Sequence, residues 1–278
     1  MRSRLRTFFI MVLLTVLFVW VGGVIGGRQG VIIAFFLAAA MNFGGYWFSD
    51  KLVLRHYKAQ EVNPESNPRL YNIVSALAHK VALPMPKVYV VPQPTPNAFA
   101  TGRNPGHAAV AATQGIIELL DDEELSGVMA HELTHVKNRD TLTSTIAATF
   151  AGAIAMMAQM ARYQPRDSRN RQNPLLLLFL VVGAPLAAML LRSLISRIRE
   201  YAADEGGAKI SGKPLGLANA LLKLHQGVQR FPIVRGNPAH SHLFIMNPFF
   251  GGLSRLFSTH PPVEERIRRL QAMAAKYV

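Results

Sequence analysis

Two long uncharged segments near the amino terminus constrain this chain more than any other feature of its sequence. Phe8 to Ile25 and Val31 to Phe48 are almost entirely apolar and contain no charged residue. Each has about 18 residues, close to the minimum for a helix that crosses a hydrocarbon layer ~30 Å thick. Only residues 26–30 separate them. We therefore predict a helical hairpin in a membrane, contained within residues 1–50.

A cleaved signal peptide is the alternative interpretation of the first segment, because three arginines among residues 2–6 give it a positive start. Three features favour a retained helix instead. The apolar run is longer than a usual signal core, no small-residue cleavage pattern ends it, and a second apolar segment follows soon after.

Glycines four residues apart lie at the end of the first apolar segment. Gly22 with Gly26, and Gly23 with Gly27, would let two helices approach closely beside their turn. Glycine is also simply more frequent in membrane helices than in soluble ones. The pattern therefore has two explanations, of which only the first concerns helix contact.

The chain is strongly basic, with a formal net charge of +14, but the placement of the charges argues against nucleic acid as a partner. Basic residues cluster beside the apolar segments rather than along one soluble face. Three arginines precede the first segment, and Lys51, Arg55 and Lys58 follow the second. The positive-inside rule then places both ends of the hairpin in the cytoplasm. Anionic lipid head groups are the expected electrostatic partner.

The composition agrees with a membrane protein and limits the kind of metal site it can hold. Half of the residues are apolar and only 17% are charged, which fits a chain with apolar membrane segments. There is no cysteine, so disulfides and thiolate ligands are excluded. Any metal ion must be held by His, Asp or Glu.

After the hairpin, the sequence predicts a soluble domain that is mainly α-helical with a small β-sheet. Asn67 and Pro68 are typical of a helix start, and short β-leaning segments follow between Pro and Gly signals. In the last predicted helix, Val263, Ile267 and Leu270 share one apolar face. The predicted elements are a helix at 68–81, strands at 87–91, 97–101 and 108–113, a central helix from about 121 to 138, and helices at 214–224 and 262–275.

Two weaker apolar stretches, residues 141–160 and 174–191, interrupt this domain. Their link contains four arginines between residues 162 and 171, which conflicts with a location outside the cell. Two crossings and no crossing both remain open, and both return the chain to the same side. The prediction is a peptidase domain in two parts, residues 51–140 and 193–278, with the apolar residues 141–192 between them.

The central helix carries the pattern His-Glu-x-x-His at residues 131–135. His131 and His135 are four residues apart and lie on one helix face, so both imidazoles can bind one zinc ion. Glu132 is offset around the helix and can reach a water molecule at the metal without binding the metal. It is the predicted general base of peptide hydrolysis.

A catalytic zinc ion usually takes a third protein ligand. A metzincin would have a glycine and a further histidine where this chain has Asn138 and Thr141, so that class is excluded. The remaining candidates lie after residue 193. They are Glu200, the pair His240 and His242, and His260. Because Glu200 and Asp204 share a helical face, a ligand followed by an orienting carboxylate is one interpretation.

Several further motifs occur in order from Pro96 onward. They are Asn-Ala-Phe-Ala-Thr-Gly at 97–102, residues 124–128, the metal motif extended to 131–140, Arg-Glu-Tyr-Ala-Ala-Asp at 199–204, and Ser-Thr-His-Pro-Pro at 258–262. With these motifs the chain resembles the HtpX type of membrane zinc endopeptidase. That family is related to the CAAX prenyl proteases and to a stress-activated peptidase of the mitochondrial inner membrane. The apolar hairpin and the later apolar pair match the family's layout too.

The resemblance implies one zinc ion per chain, bound in a gluzincin-like domain with Glu132 as base and with three protein ligands: His131, His135 and Glu200. It also suggests that Asp204 orients a ligand histidine. His260 would donate to the oxyanion that forms when water attacks, although capping of the last helix is the alternative. For Asp140, a helix-end role and a catalytic role both remain open.

The resemblance further implies that Asn97, Ala98, Phe99 and Ala100 form an edge strand on which an extended polypeptide pairs, a plain buried strand being the alternative. The implied activity is cleavage of misfolded membrane proteins at the cytoplasmic face of a bacterial-type inner membrane, in stress-related quality control, by a multi-pass protein. A processing peptidase for lipidated peptides and a non-catalytic scaffold with a structural zinc are the competing hypotheses. The retained Glu132 argues against the scaffold.

Overall fold

The computed structural model describes residues 2–141, 184–230, 245 and 261–276. Residues 142–160 of the first predicted apolar stretch and residues 174–183 of the second fall outside the described residues. So do three of the histidines considered above: His240, His242 and His260.

The first helix, α1, spans Arg2–His56 and is bent at Gly27, whose φ of 57° and ψ of −143° are not helical. The two halves lie side by side. A hydrogen bond joins them: the side-chain amide of Asn42 donates to Oγ1 of Thr15 at 3.0 Å. Within α1, Met11–Phe48 is the one stretch among the described residues that is long and apolar enough to cross a membrane, with a mean hydropathy of 1.9. The predicted hairpin geometry is present.

Close contact between the halves of α1 depends on glycine. A Cβ atom on Gly22 would lie 2.5 Å from Cβ of Ala34, and one on Gly30 would lie 2.0 Å from the carbonyl oxygen of Gly22. Gly23 is similarly close to the second half, whereas Gly26 has no neighbour within 4 Å. Helix contact therefore explains Gly22 and Gly23, and Gly26 takes no part in it.

A four-stranded sheet follows the hairpin, with strand order β1-β2-β4-β3. β2 and β4 are parallel, and the other two pairs are antiparallel. The three strands that the sequence predicts are confirmed within one residue, and β1 is additional. The bounds are β1 Gln60–Val62, β2 Lys87–Val91, β3 Ala98–Gly102 and β4 Ala108–Thr113, with a short 3₁₀ turn at Pro105–His107 before β4.

The helices surround a central helix, α4, which packs against the sheet and three other helices. The side chains of Leu125, Met129 and Leu133 on α4 are fully buried in the main core. After α1, the described helices are α2 Pro68–Lys80, α3 Gln114–Leu119, α4 Asp122–Asn138, α5 Ala184–Ser211, α6 Pro214–Arg230 and α7 Val263–Ala274.

The start of α4 is fixed by local chemistry. Oδ1 of Asp121 accepts from the amide of Glu124 at 2.9 Å, and the Glu124 side chain accepts from the amide of Asp121 at 3.0 Å. This reciprocal capping box satisfies two amides that the first helical turn leaves unpaired. The helix ends at Asn138, and the next residue, Arg139, has a left-handed φ of 61°. The predicted limits of this helix are confirmed.

The end of α1 packs on the edge strand β3. Phe99 lies against Tyr57, with ring centroids 5.5 Å apart, and shares a buried cluster with Val53. Just beyond β3, the guanidinium of Arg103 lies 4.6 Å from the ring centroid of Trp47. The carboxyl-terminal end of the apolar hairpin thus packs directly on the strand predicted to bind substrate.

Candidate metal centre

Helix α4 brings the two histidines of the motif together. Nε2 of His131 and Nε2 of His135 are 3.2 Å apart, as expected for residues one turn apart on a helix. His131 is buried, with 1% of its side chain exposed, and His135 is partly buried, with 14% of its side chain exposed. The two nitrogens therefore face a shared point that water reaches poorly.

Helix α5 supplies the third group. The carboxylate of Glu200 lies 3.7 Å from Nε2 of His131 and 3.4 Å from Nε2 of His135. Tetrahedral zinc bonds of 2.0 to 2.1 Å place neighbouring ligand atoms about 3.3 Å apart. The three distances in this cluster are close to that value, so the donor atoms fit a metal ion of this size without rearrangement of the helices.

Two glycines allow α5 to pack closely on α4. A Cβ on Gly206 would lie 2.4 Å from Cγ2 of Thr134, and one on Gly207 would lie 2.9 Å from the amide nitrogen of His131. Only glycine fits at such separations. The approach of the backbones at these two residues brings Glu200, about two turns earlier on α5, to the histidines.

Each histidine has a carboxylate on its other ring nitrogen. Oδ1 of Asp204 lies 3.0 Å from Nδ1 of His131, and Oδ2 of Asp140 lies 3.1 Å from Nδ1 of His135. A histidine that binds metal through Nε2 carries its proton on Nδ1, and a carboxylate there fixes the tautomer and the ring. Asp204 therefore lies where an orienting carboxylate would have to lie, and Asp140 has the same placement beside His135; their roles stay predictions.

Sequence reasoning missed Arg266, which lies in α7 and is 0% exposed. Its guanidinium binds both oxygens of Asp204, at 2.8 and 2.7 Å, and lies 3.4 Å from Glu200. The signal that could have revealed it is its position. Arg266 falls on the apolar face formed by Val263, Ile267 and Leu270, where a charged residue needs buried partners.

The charges around the cluster favour a divalent cation. Among the described residues, four carboxylates and two guanidinium groups meet here, which leaves two negative charges when all are ionised. Such an excess in a buried site is stabilised by a bound dication. The groups are Glu132, Asp140, Glu200 and Asp204, with Arg199 and Arg266.

The pKa values of the histidines agree with this field. Burial lowers the pKa of His131, which keeps it in the neutral form that binds metal. Burial also opposes protonation of His135, but its hydrogen bonds with Asp140 and Glu200 prevail and raise its pKa to about 10. The carboxylates therefore favour a positive charge beside His135, where a metal ion would lie.

Glu132 lies next to this cluster and is suited to proton transfer. Its side chain is buried, and burial raises its pKa to about 7, while the charge of His135 and a hydrogen bond with the backbone of Ala100 act in the opposite direction. A carboxylate with a pKa near the working pH can both accept and return a proton. Ala100 belongs to β3, so the base is held against the edge strand.

The predicted substrate strand is at the sheet edge, but its side chains are buried. Oδ1 of Asn97 accepts from the amide of Ile245 at 3.1 Å, and the amide of Asn97 donates to Thr113 at 2.8 Å. Phe99 packs on Tyr57, the residue directly after α1. No strand among the described residues pairs with the outer edge of β3. Contact with a substrate would therefore use the backbone of residues 98–100.

The structure brings together five of the predicted site residues: His131, Glu132, His135, Glu200 and Asp204. Among the described residues, His131, His135 and Glu200 are the one group of three that could hold a metal ion. The predicted role of His260 concerns a residue that is not described. The predicted roles of Asn97, Ala98, Phe99 and Ala100 stay predictions.

Comparison with protein families shows a match over most of the chain. Residues 64–274 match the model of Peptidase family M48. A "Protease HtpX homolog" from Syntrophotalea carbinolica is 56% identical over 279 residues, covering 98% of this chain and 99% of that protein. A protein of the same name from Ralstonia pickettii is 53% identical, covering 99% of this chain and 98% of that protein. Another from Pyrococcus abyssi is 51% identical, covering 97% of this chain and 96% of that protein.

A solved structure is also similar. Its title is "Crystal Structure of S. mikatae Ste24p", and the match has a TM-score of 0.56 with 19% sequence identity. It covers 94% of this chain but only 62% of that chain. The likeness therefore concerns the fold, and this chain spans less than two thirds of that larger structure.

Proposed function

The chain belongs to peptidase family M48 and is a metalloprotease, and from this we propose that it is a membrane-anchored zinc endopeptidase acting at the cytoplasmic face. The observation that carries the proposal is one buried cluster. His131, His135 and Glu200 offer ligand atoms within 4.8 Å of one another, and Glu132 lies beside them. A structural zinc site would need no such base.

Zinc is the proposed metal because of the ligand set. Two imidazoles and one carboxylate are a common donor set of catalytic zinc, which leaves a fourth position for water or substrate. His131, His135 and Glu200 would hold the ion, one per chain. A bound zinc ion supplies Lewis acidity, which polarises the scissile carbonyl and lowers the pKa of water to about 7.

The protein's own groups then carry the proton. Glu132 accepts a proton from the attacking water and passes it to the nitrogen of the peptide bond as that bond breaks. Its raised pKa of about 7 supports both steps. Asp204 and Asp140 hold His131 and His135 in the tautomer that binds through Nε2. His260 is the proposed donor to the oxyanion of the tetrahedral intermediate.

An extended polypeptide is the proposed ligand of the β3 edge. β3 is one of the two edge strands of the described sheet and contacts Glu132 through Ala100. Backbone pairing along this edge would bring a peptide bond towards the base regardless of side-chain sequence. Such pairing suits a peptidase that handles unfolded segments of many proteins, and misfolded membrane proteins are the substrates that we propose.

The membrane arrangement rests on the hairpin in α1. Met11–Phe48 is apolar and turns at Gly27, so both ends return to one side, and Lys51 and Arg55 follow it. Basic residues beside a span indicate the cytoplasmic side. The direct packing of α1 on β3 would then hold the catalytic cluster near the surface of the inner membrane.

The decisive experiment uses the purified full-length protein and its Glu132→Gln variant. Metal content and cleavage of an unfolded membrane-protein substrate are measured on the same samples. We expect one zinc ion per chain in both, and a loss of hydrolysis of at least about 100-fold in the variant, because the ligands remain while proton transfer is removed. Hydrolysis by the variant near the wild-type rate would reject the mechanism.

Topology is tested separately with reporter tags placed after Asp140 and after Leu191. Both tags should report the cytoplasm, because Glu200 must reach His131 on the same side of the membrane. A third tag near Ser168 decides whether the second apolar pair crosses. Opposite locations of the first two tags would exclude Glu200 as a ligand.

A further inference from the structure

We propose that Arg266 is a positioning residue of the metal centre: it fixes Asp204, and through Asp204 the ring of His131, and so sets zinc affinity and turnover. Arg266 itself would contact neither zinc nor substrate. The inference rests on the proposed function, since it concerns the same metal centre, and it adds a residue that the metal motif does not contain.

The location of Arg266 requires an explanation. It is 0% exposed and lies on the inner face of α7, beside the buried Leu270. Leucine would satisfy such a position at no electrostatic penalty, whereas a buried guanidinium is strongly unfavourable unless it is paired and hydrogen-bonded. The acceptors that pair with it must therefore be part of the reason that it is there.

The acceptors come from the metal centre. Nε and Nη2 of Arg266 donate to the two oxygens of Asp204, at 2.8 and 2.7 Å, and Nη1 donates to the carbonyl of Ile245 at 3.0 Å. Nη1 also lies 3.4 Å from Oε2 of Glu200. A bidentate salt bridge between a guanidinium and a carboxylate fixes the orientation of the carboxylate as well as its distance. Asp204 therefore has one allowed position.

The fixed carboxylate in turn fixes the histidine. Oδ1 of Asp204, which accepts from Nη2 of Arg266, also lies 3.0 Å from Nδ1 of His131, close enough for a hydrogen bond although the angle at the ring nitrogen is not yet that of one. If Asp204 could rotate, His131 would lose the partner that holds its Nε2 towards the metal. Arg266 prevents this rotation, and it balances the charge that Asp204 brings into a buried site.

The other histidine is held differently. Asp140 belongs to the chain segment directly after α4, and Arg199 donates to its backbone carbonyl at 3.0 Å. The side chain of Asp140 is 14% exposed, against 5% for Asp204. Water can therefore reach Asp140 more easily than Asp204, and His131 depends more on a protein group for its orientation.

Arg266 also joins the metal centre to the edge strand. The carbonyl of Ile245 accepts from Arg266, and the amide of Ile245 donates to Oδ1 of Asn97. The backbone of Ile245 thus connects Asn97, the residue directly before β3, to the guanidinium that binds Asp204. Loss of Arg266 is expected to lower kcat as well as zinc affinity, because both the metal and the strand are affected.

The test compares Arg266→Met with Arg269→Met in the full-length protein. Arg269 lies on the same helix, stacks on Tyr201 of α5 at 3.8 Å and pairs with Glu265. The control thus removes an arginine that links α7 to α5 without touching Asp204. Zinc affinity is measured by competition with a chelator. We expect about 10- to 100-fold weaker binding for Arg266→Met and unchanged binding for Arg269→Met.

Two further readouts separate positioning from general stability. The absorption spectrum of the cobalt-substituted protein reports ligand geometry, and it should change in Arg266→Met but not in Arg269→Met. Arg266→Lys should bind zinc with intermediate affinity, because it keeps the charge but not the bidentate salt bridge. The zinc affinity of the double variant Arg266→Met/Asp204→Asn should equal that of whichever single variant binds zinc more weakly. Both changes interrupt the same chain of contacts from Arg266 through Asp204 to His131, so their effects should not add.

The outcomes are distinct. Wild-type zinc affinity and an unchanged cobalt spectrum in folded Arg266→Met would overturn the inference, as would an equal loss in Arg269→Met. If Arg266→Met does not fold, the double variant decides, because it removes both buried charges together. Wild-type zinc affinity in that variant would also overturn the inference. Absence of stoichiometric zinc in the unaltered protein would instead reject the proposed function, and the inference with it.

Discussion

The two halves of the candidate metal centre are built in different ways. The α4 half consists of His131, Glu132 and His135, which one helix holds in place by its own geometry. The α5–α7 half consists of Glu200, Asp204 and Arg266, which come from two helices far apart in sequence. The first half is autonomous, whereas the second exists only when the helices pack. The difference teaches that a short motif can mark a metal site while its third ligand and its charge balance are set by the assembled fold.

The largest predicted effect is a loss of zinc affinity, and it tests whether each half supplies a direct ligand of the metal. His135→Ala and Glu200→Gln should each weaken zinc binding by more than the about 100-fold typical of residues behind the ligands, because each removes a direct bond to the ion. Chelator competition measures both. His260→Ala should keep zinc and lose turnover. If His260→Ala loses zinc while Glu200→Gln keeps it, His260 is the third ligand and the α5–α7 half is wrongly assigned.

The next prediction compares the two orienting carboxylates. Asp204→Asn should weaken zinc binding by about 10- to 100-fold, and Asp140→Asn by less. The side chain of Asp140 is 14% exposed and that of Asp204 is 5% exposed, so water can partly replace only Asp140. Zinc affinity of the two variants is measured side by side. Equal losses would show that the two halves hold their histidines equally well.

The smallest predicted effect concerns the contact between the halves. Gly206→Ala places a Cβ within 2.4 Å of Cγ2 of Thr134, which should lower the free energy of unfolding by about 1 to 3 kcal/mol. Thermal or denaturant unfolding measures it. Because α5 then moves away from α4, zinc affinity should fall as well.

Thr134→Ala provides the matched background for that measurement, since it removes Cγ2 and Oγ1 together. Gly206→Ala should be less destabilising in the Thr134→Ala protein than in the unaltered one, because the nearest remaining atom is Cβ of residue 134 at 3.2 Å. An identical loss in both backgrounds would show that Gly206 is needed for a reason other than contact with Thr134.

Much of the architecture could be predicted because it depends on local signals. The start of α4 depends on contacts between Asp121 and Glu124, which are three residues apart, and uncharged length indicated the hairpin in α1. The third ligand was less certain from the residues alone. Glu200 competed with His240, His242 and His260 until the family resemblance favoured it, because helical spacing does not say which distant helix packs on α4.

Arg266 shows what local reasoning could not supply. The spacing of Val263, Ile267 and Leu270 predicted an amphipathic helix, and α7 is one, but an arginine within the apolar face had no partner in the nearby sequence. Asp140 was left between two roles for the same reason. Arg266 binds Asp204 on another helix, and Asp140 approaches His135 only because the chain turns at Arg139 after α4.

The sequence by itself determined the apolar hairpin, the capped central helix and the convergence of His131 and His135, since each follows from backbone geometry over a few residues. The tertiary structure decided that Glu200 reaches the same point, that Asp204 lies behind His131, and that Arg266 secures Asp204. The physical reason is close packing. Gly206 and Gly207 allow the backbone of α5 to contact α4. Only that close packing brings the buried charged side chains of separate helices within hydrogen-bond distance of one another.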